Sequence, residues 1–276
     1  MKNLLNILVI FTSLGCINIA NATPEQDKET FQRFYMERFP DVSKEDFGNG
    51  VYALDQDARD QWESMSDFPP YEDDLEAGEE LFNNPFKNGK NYANCFKNGG
   101  ENIRQNYPKF DTERNSVITL ELAINECRMK NGESALPYQK GDIAKISAYM
   151  ASTSEGSLIE IKVPNDNALI AYEEGKQYFY SKRGQLNFSC ANCHIQNVGR
   201  KARSETLSPA LGHPTHFPVY RMAWQNFGTL HRRFASCNKQ VRAQPLAGQS
   251  EDYRNLEYFL TYMSNGLPIN GPASRK

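Results

Sequence analysis

Residues 190–194 read Cys190-Ala191-Asn192-Cys193-His194, and this stretch decides what kind of chain it is. Two thiols two residues apart, with a histidine directly after the second, are the sequence through which haem is attached covalently. Both sulfurs add to porphyrin vinyl groups, and the adjacent imidazole reaches the iron. A two-residue gap on a helical turn sets both sulfurs along one haem edge. A zinc knuckle would need a second Cys/His pair at ligand spacing, and none follows. A thioredoxin-like redox pair would need strands alternating with helices around it, a pattern absent here. The stretch therefore predicts one covalent haem c, with Cys190 and Cys193 as its anchors and His194 as an iron ligand.

Working outward, residues 171–180 carry apolar and aromatic side chains at helical spacing and lead into the haem loop. The first half repeats this form: Gly78-Glu79-Glu80-Leu81-Phe82 matches Gly175-Lys176-Gln177-Tyr178-Phe179. Cys95 then falls near the place of the haem cysteines. Each half closes on a similar helix, 142–150 ending Ala148-Tyr149-Met150 and 252–263 ending Thr261-Tyr262-Met263. Counting back from those ends puts Cys127 within three residues of the position of Cys237. Four correspondences in order point to a duplicated unit. The first copy reads Asn94-Cys95-Phe96-Lys97-Asn98, without a second cysteine or a histidine, so it cannot hold haem in this manner.

The predicted fold is mostly α, two cytochrome c-like domains in tandem, only the C-terminal one carrying haem. The expected boundaries are a leader at 1–22, an acidic extension at 23–70, a haemless domain at 71–155 and a haem domain at 165–276. Residues 151–167, rich in Ser, Gly, Asp and Asn, form the connector. The extension is expected to wrap the first domain.

The leader reads as an export signal: Lys2, an apolar run, then Ala20-Asn21-Ala22 as the small-residue cleavage pattern. The run is short and interrupted by Asn6, Thr12, Ser13 and Asn18, which argues against a membrane anchor. Gly15-Cys16 admits a lipoprotein reading, for which Ser13 is a poor fit. Export to the periplasm, with no membrane span, is the expectation. The composition, 39% hydrophobic and 24% charged, is ordinary for a globular chain. The net charge of −3 hides an asymmetry. Between residues 23 and 86 there are 18 acidic residues against 5 basic ones, while residues 200–242 hold eight basic residues against Glu205 alone. A positive field just past the haem motif would attract an anion. Nucleic acid is an unsuitable partner, because the broad basic footprint it needs is missing.

Loss of the leader leaves five cysteines, at 95, 127, 190, 193 and 237. The haem takes two, and Cys95 with Cys127 form the natural disulfide, so Cys237 is left over in an oxidising compartment. Candidates for the second iron ligand are His213, His216, Met222, His231, Cys237 and Met263. Methionine suits a simple electron carrier, and Met222 falls on a helix predicted over 219–237. A Cys237 thiolate would lower the potential and suit chemistry at the sulfur. Arg233 lies four residues before Cys237, one helical turn away on the same face, where a guanidinium stabilises a thiolate or holds an oxyanion. It could equally serve a haem propionate or lie at the surface.

Two cytochrome c-like units, the haem motif in the second, and then Arg233-Phe-Ala-Ser-Cys237-Asn238 resemble the SoxA family of bacterial thiosulfate oxidation. The resemblance covers nearly the whole chain past the leader, and the Arg-x-x-x-Cys element beside a haem is its specific part. It implies that Cys237 is both iron ligand and active-site sulfur, carried as a persulfide, and that Arg233 binds substrate. It implies oxidative conjugation of thiosulfate to a cysteine of a SoxYZ-like carrier protein. It also implies a heterodimer with a SoxX-like small cytochrome c subunit, which supplies the second redox centre a two-electron oxidation needs. Members with two haems differ from this chain, which looks like the single-haem variety with Cys95 and Cys127 bridged. The rival expectation is a plain periplasmic electron-transfer cytochrome c, with Met222 or Met263 on the iron.

Overall fold

The computed structural model describes residues 22–275. The expected export signal therefore lies outside the described residues, apart from Ala22. No helix among the described residues is long and apolar enough to cross a membrane.

Helices dominate. Helix α1 (Pro24–Arg38) starts at a Thr23 capping box, followed by a 3₁₀ stretch at Glu45–Ala53 and α2 (Gln56–Ser66). Two repeats of one element order follow. The first runs α3 (Glu72–Asn83), hairpin β1 (Lys109–Asp111) with β2 (Ser116–Ile118), α4 (Leu120–Lys130) and α5 (Asp142–Ser152). The second begins with α6 (Asp166–Tyr180), a π-helical turn at Asn192–Gln196, and the short pair β3 (Lys201–Ala202) and β4 (Glu205–Thr206). It continues with β5 (Val219–Arg221), β6 (Asn226–Gly228), α7 (Leu230–Gln240) and α8 (Glu251–Met263), and β7 (Ala273–Arg275) closes it by pairing parallel to β5.

The two aligned glycines explain why each half closes on a helix pair. A side-chain carbon at Gly78 would sit 2.3 Å from the Lys145 carbonyl oxygen, and one at Gly175 would sit 2.0 Å from that of Asn255. Glycine lets α3 meet α5, and α6 meet α8, backbone to backbone. Tyr149 and Phe259 line the same places against those glycines. The alignment of closing helices drawn from sequence therefore slips by three residues: the partner of Tyr149 is Phe259, not Tyr262. With the slip removed, every pair from the hairpins onward sits 110 positions apart, including the caps Thr119 and Thr229 and the cysteines Cys127 and Cys237.

Two further expectations are corrected. The predicted helix over 219–237 begins only at Leu230. Val219, Tyr220 and Arg221 pair with residues 226–228, Gln225 turns the chain with φ +52°, and the Thr229 hydroxyl caps the helix by accepting from the Arg232 amide. Met222 is on the hairpin turn, 46% exposed. The extension, expected to wrap the first half, packs its α1 on the second. Phe31 meets Phe179 at 6.4 Å, Gln32 donates to the carbonyls of Met263 and Asn265, and Asp27 pairs with Lys176. Apart from Asp27, which also accepts from the Tyr172 hydroxyl, the acidic residues of α1 lie at the surface, while its aromatic Phe31 packs on α6.

The halves are locked by polar exchange as well as apolar burial. The Thr119 hydroxyl donates to Gln249 at 2.8 Å, and the Thr229 hydroxyl donates to the Tyr138 carbonyl at 3.0 Å. Beneath them lie Glu121, His231, Glu257 and Arg104, each at most 6% exposed. Ser147 donates to Glu121 at 2.8 Å, and His231 lies 3.1 Å from Glu257. The Gln249 backbone amide donates to Nδ1 of His231, so Nε2 carries the proton and faces Glu257 without making an aligned hydrogen bond to it.

Candidate functional site

The loop after α6 is shaped to present the thiols. Gly184, at φ +71°, passes so close to the Val241 carbonyl that a side-chain carbon would lie 2.1 Å from it. The loop is thereby pinned against the end of α7. Ser189 caps the next turn through Asn192, and the chain winds into the π-helical turn that carries Cys193 and His194. Cys190 and Cys193 are free thiols, half-buried. Arg183 lies over the Tyr178 ring, 3.6 Å from its centroid, and donates to the Cys190 sulfur at 3.7 Å.

His194 is held from two sides. Its Nδ1 lies 2.8 Å from the Ser208 carbonyl, which leaves Nε2 as the nitrogen able to bind a metal. Its own carbonyl accepts from the Tyr35 hydroxyl of α1 at 2.6 Å. The extension thus braces the haem-motif turn, a role not read from the sequence.

Of the six candidates for the second ligand, two approach the His194 side chain. Cys237 is hydrogen-bonded to it, and the His213 ring stands edge-on with centroids 4.5 Å apart. The His213 Nε2 and the Ser208 hydroxyl are hydrogen-bonded at 2.9 Å, whereas the Cys237 thiol is free of any disulfide. The others face elsewhere: Met222 is out on its turn, Met263 is buried in the core of α8, His231 faces Glu257, and His216 contacts the Gly48 carbonyl.

The electrostatics separate the three free thiols. Burial pushes the Cys190 thiol up to about 11, and burial also raises Cys193. Burial acts upward on Cys237 too, but Arg233, the His194 hydrogen bond and Arg221 outweigh it and bring the thiol down to about 7. Arg233 was singled out from its spacing. Arg221 was noted only as nearby charge, yet it belongs to the site because β5 delivers it there. His213 and Ser208 were missed as supports for His194, and their only sequence signal was proximity to the motif.

Two thiols on one turn, an oriented imidazole after them and a third sulfur beside that imidazole fit the donor set of a haem c: Cys190 and Cys193 would hold it, and His194 and Cys237 would be its iron donors. When bound, haem c supplies a one-electron acceptor beside Cys237.

In the first half the corresponding sulfurs are bonded to one another: Cys95 and Cys127 form a disulfide with Cα atoms 5.9 Å apart. The profile of the family described as "SoxA/TsdA, cytochrome c domain" matches residues 77–159, which is this half. The L-cysteine S-thiosulfotransferase subunit SoxA of Chlorobaculum tepidum is 58% identical over 255 residues, 92% of this chain and 89% of that protein. The protein of the same name from Allochromatium vinosum is 52% identical over 260 residues, 94% of this chain and 92% of its own length. The crystal structure of SoxXA from P. pantotrophus superimposes with a TM-score of 0.72 at 26% identity, covering 79% of this chain and 84% of that one. With a mostly helical cytochrome c architecture, a bridged first half and relatives of this closeness, the chain belongs to the SoxA family of L-cysteine S-thiosulfotransferase subunits.

Proposed function

We propose that this chain joins thiosulfate oxidatively to a cysteine of a SoxYZ-like carrier, with Cys237 as the reactive sulfur and second iron ligand. The observation that carries this reading is the Cys237 thiol itself: unbridged, against His194, and brought down to about 7 by Arg233, His194 and Arg221 despite burial. Its Arg-x-x-x-Cys setting and the names of the close relatives support the same chemistry.

In this reading the chain is a tandem of a haemless domain (71–155) and a domain (165–276) with one haem c on Cys190, Cys193 and His194. Export to the periplasm through a leader at 1–22 accompanies it. Arg233 holds the anionic thiosulfate beside the sulfur of Cys237, which is carried as a persulfide. The new sulfur–sulfur bond joins thiosulfate to the carrier cysteine as an S-thiosulfonate, and the carrier thiol loses its proton. Two electrons are released, one more than a single haem accepts, so a partner redox centre is required. The likeness to SoxXA favours a SoxX-like small cytochrome c in that place.

Cys237→Ala tests the core of it. The variant should retain covalent haem, lose the near-infrared signature of thiolate ligation, and conjugate thiosulfate at least about a thousandfold more slowly. A folded, haem-loaded variant working at the parent rate would leave only an electron-transfer cytochrome.

A further inference from the structure

Three guanidiniums gather around this site. Arg233 and Arg221 both act on Cys237, and Arg221 stands beside Arg275 because β5 and β7 pair in parallel with these residues in register. Residues in register on neighbouring strands project to one face of the sheet. The ion pairs found among the described residues include none of the three. The acidic group that reaches Arg221 is Glu205, on the exposed strand β4.

Arg275 is the deepest of them. It is 7% exposed, and Tyr52 and Trp62 cover it with ring centroids 4.9 and 5.5 Å from the guanidinium carbon. Those two rings are themselves stacked at 5.0 Å. One terminal nitrogen, Nη1, donates to the Ser274 carbonyl at 2.8 Å, while Nη2 is buried and donates to nothing. Burial pulls both Arg275 and Arg221 down to about 10. Arg275 also acts on His213, whose ring touches that of His194, so this edge of the site borders the haem motif.

A buried guanidinium left without a counter-charge is costly, and an unmade hydrogen bond adds to the cost. Substrate comes and goes, so it would leave that cost in place through much of each cycle. A resident anion removes it permanently. We propose that Arg275, with Arg221 beside it, holds a propionate carboxylate of haem c and keeps it ionised, leaving Arg233 for the substrate. The aromatic lid from the N-terminal extension excludes water from the pair. This rests on haem c being bound in the C-terminal half, which mass spectrometry of haem-bearing peptides checks separately: haem must be found on the peptide holding Cys190 and Cys193.

The test uses full-length holo-protein. Arg275→Gln removes one positive charge near the iron, so the midpoint potential at neutral pH should fall. Reduction should also become coupled to proton uptake by the unpaired carboxylate, so the potential should acquire a pH slope in the mildly acid range that the parent lacks. Arg275→Lys should restore most of the potential. Thiosulfate affinity, read from the Soret shift, should change less than about twofold. Should Arg275→Gln fail to accumulate, Arg275→Met, which removes the same charge and packs under the same two rings, carries the same test with the same direction. A holo variant with unchanged potential and no pH slope overturns the assignment. If its thiosulfate affinity also falls tenfold or more, the guanidinium pair is a substrate oxyanion site instead.

Discussion

Helices α4 and α7 occupy the same place in the two halves, each opened by a threonine cap, each preceded by a three-residue hairpin, each carrying a cysteine on its third turn. Around Cys237 stand Arg233 and Arg221, while the corresponding positions near Cys127 are Ala123 and Asp111. One sulfur is free and drawn toward the thiolate, the other is bonded to Cys95. The duplicated scaffold thus separates two uses of a buried sulfur. Positive neighbours draw it toward the thiolate, and a second sulfur within bonding distance makes it a staple. The polar pair beneath each helix differs in the same way. Glu121 faces Ser147 in the first half, and His231 faces Glu257 at the same two positions in the second.

The largest effect expected from disturbing this comparison comes from Glu257, which serves His231 and is the carboxylate nearest Arg104. Glu257→Ala leaves the buried guanidinium unpaired and should cost roughly 3–5 kcal/mol, read from denaturant unfolding of the holo-protein. Opening the staple comes next. Replacing Cys95 and Cys127 together by alanine should cost about 3–4 kcal/mol in the chain-entropy account. Haem content and carrier conjugation should be retained, and loss of haem would show that the first half does more than support.

Arg233→Ala gives the second half the residue of the first. Conjugation should fall roughly 10²-fold in kcat/KM with haem still attached. An unchanged rate would remove Arg233 from the substrate site.

The smallest effect is a pH dependence. Burial and then the Glu257 charge raise the Glu121 carboxyl above its ordinary value of 4.5, so the folded chain holds this proton more tightly than the unfolded one. That contribution is complete below the ordinary value and is lost as pH rises through the raised one. Glu121→Gln cannot ionise. It should match the parent in acid and gain on it as pH increases, in thermal unfolding followed across the pH range.

Much of this was legible in the chain. The glycine pair Gly78 and Gly175 aligned the two halves, while their place at the helix crossings, where a side chain would strike a carbonyl, came from the structure. The bridge between Cys95 and Cys127 followed from an odd count of thiols. The closing helices were misaligned by three because apolar residues recur every three or four positions, and a three-residue shift leaves that pattern nearly intact. The hairpins escaped because three-residue strands are too short to show alternation. The packing side of α1 escaped because its acidic residues do not say which aromatic surface lies beneath.

The expectation of covalent haem attachment came from sequence alone, because two thiols and an imidazole within five residues carry their geometry with them. The electrostatic setting of Cys237 was decided only by the tertiary structure. It combines Arg233 from α7, Arg221 from β5 and His194 from the motif turn, with Arg275 brought alongside Arg221 by β7. Coulomb interactions and desolvation depend on distance in space, and no spacing along the chain reports which distant charges will meet.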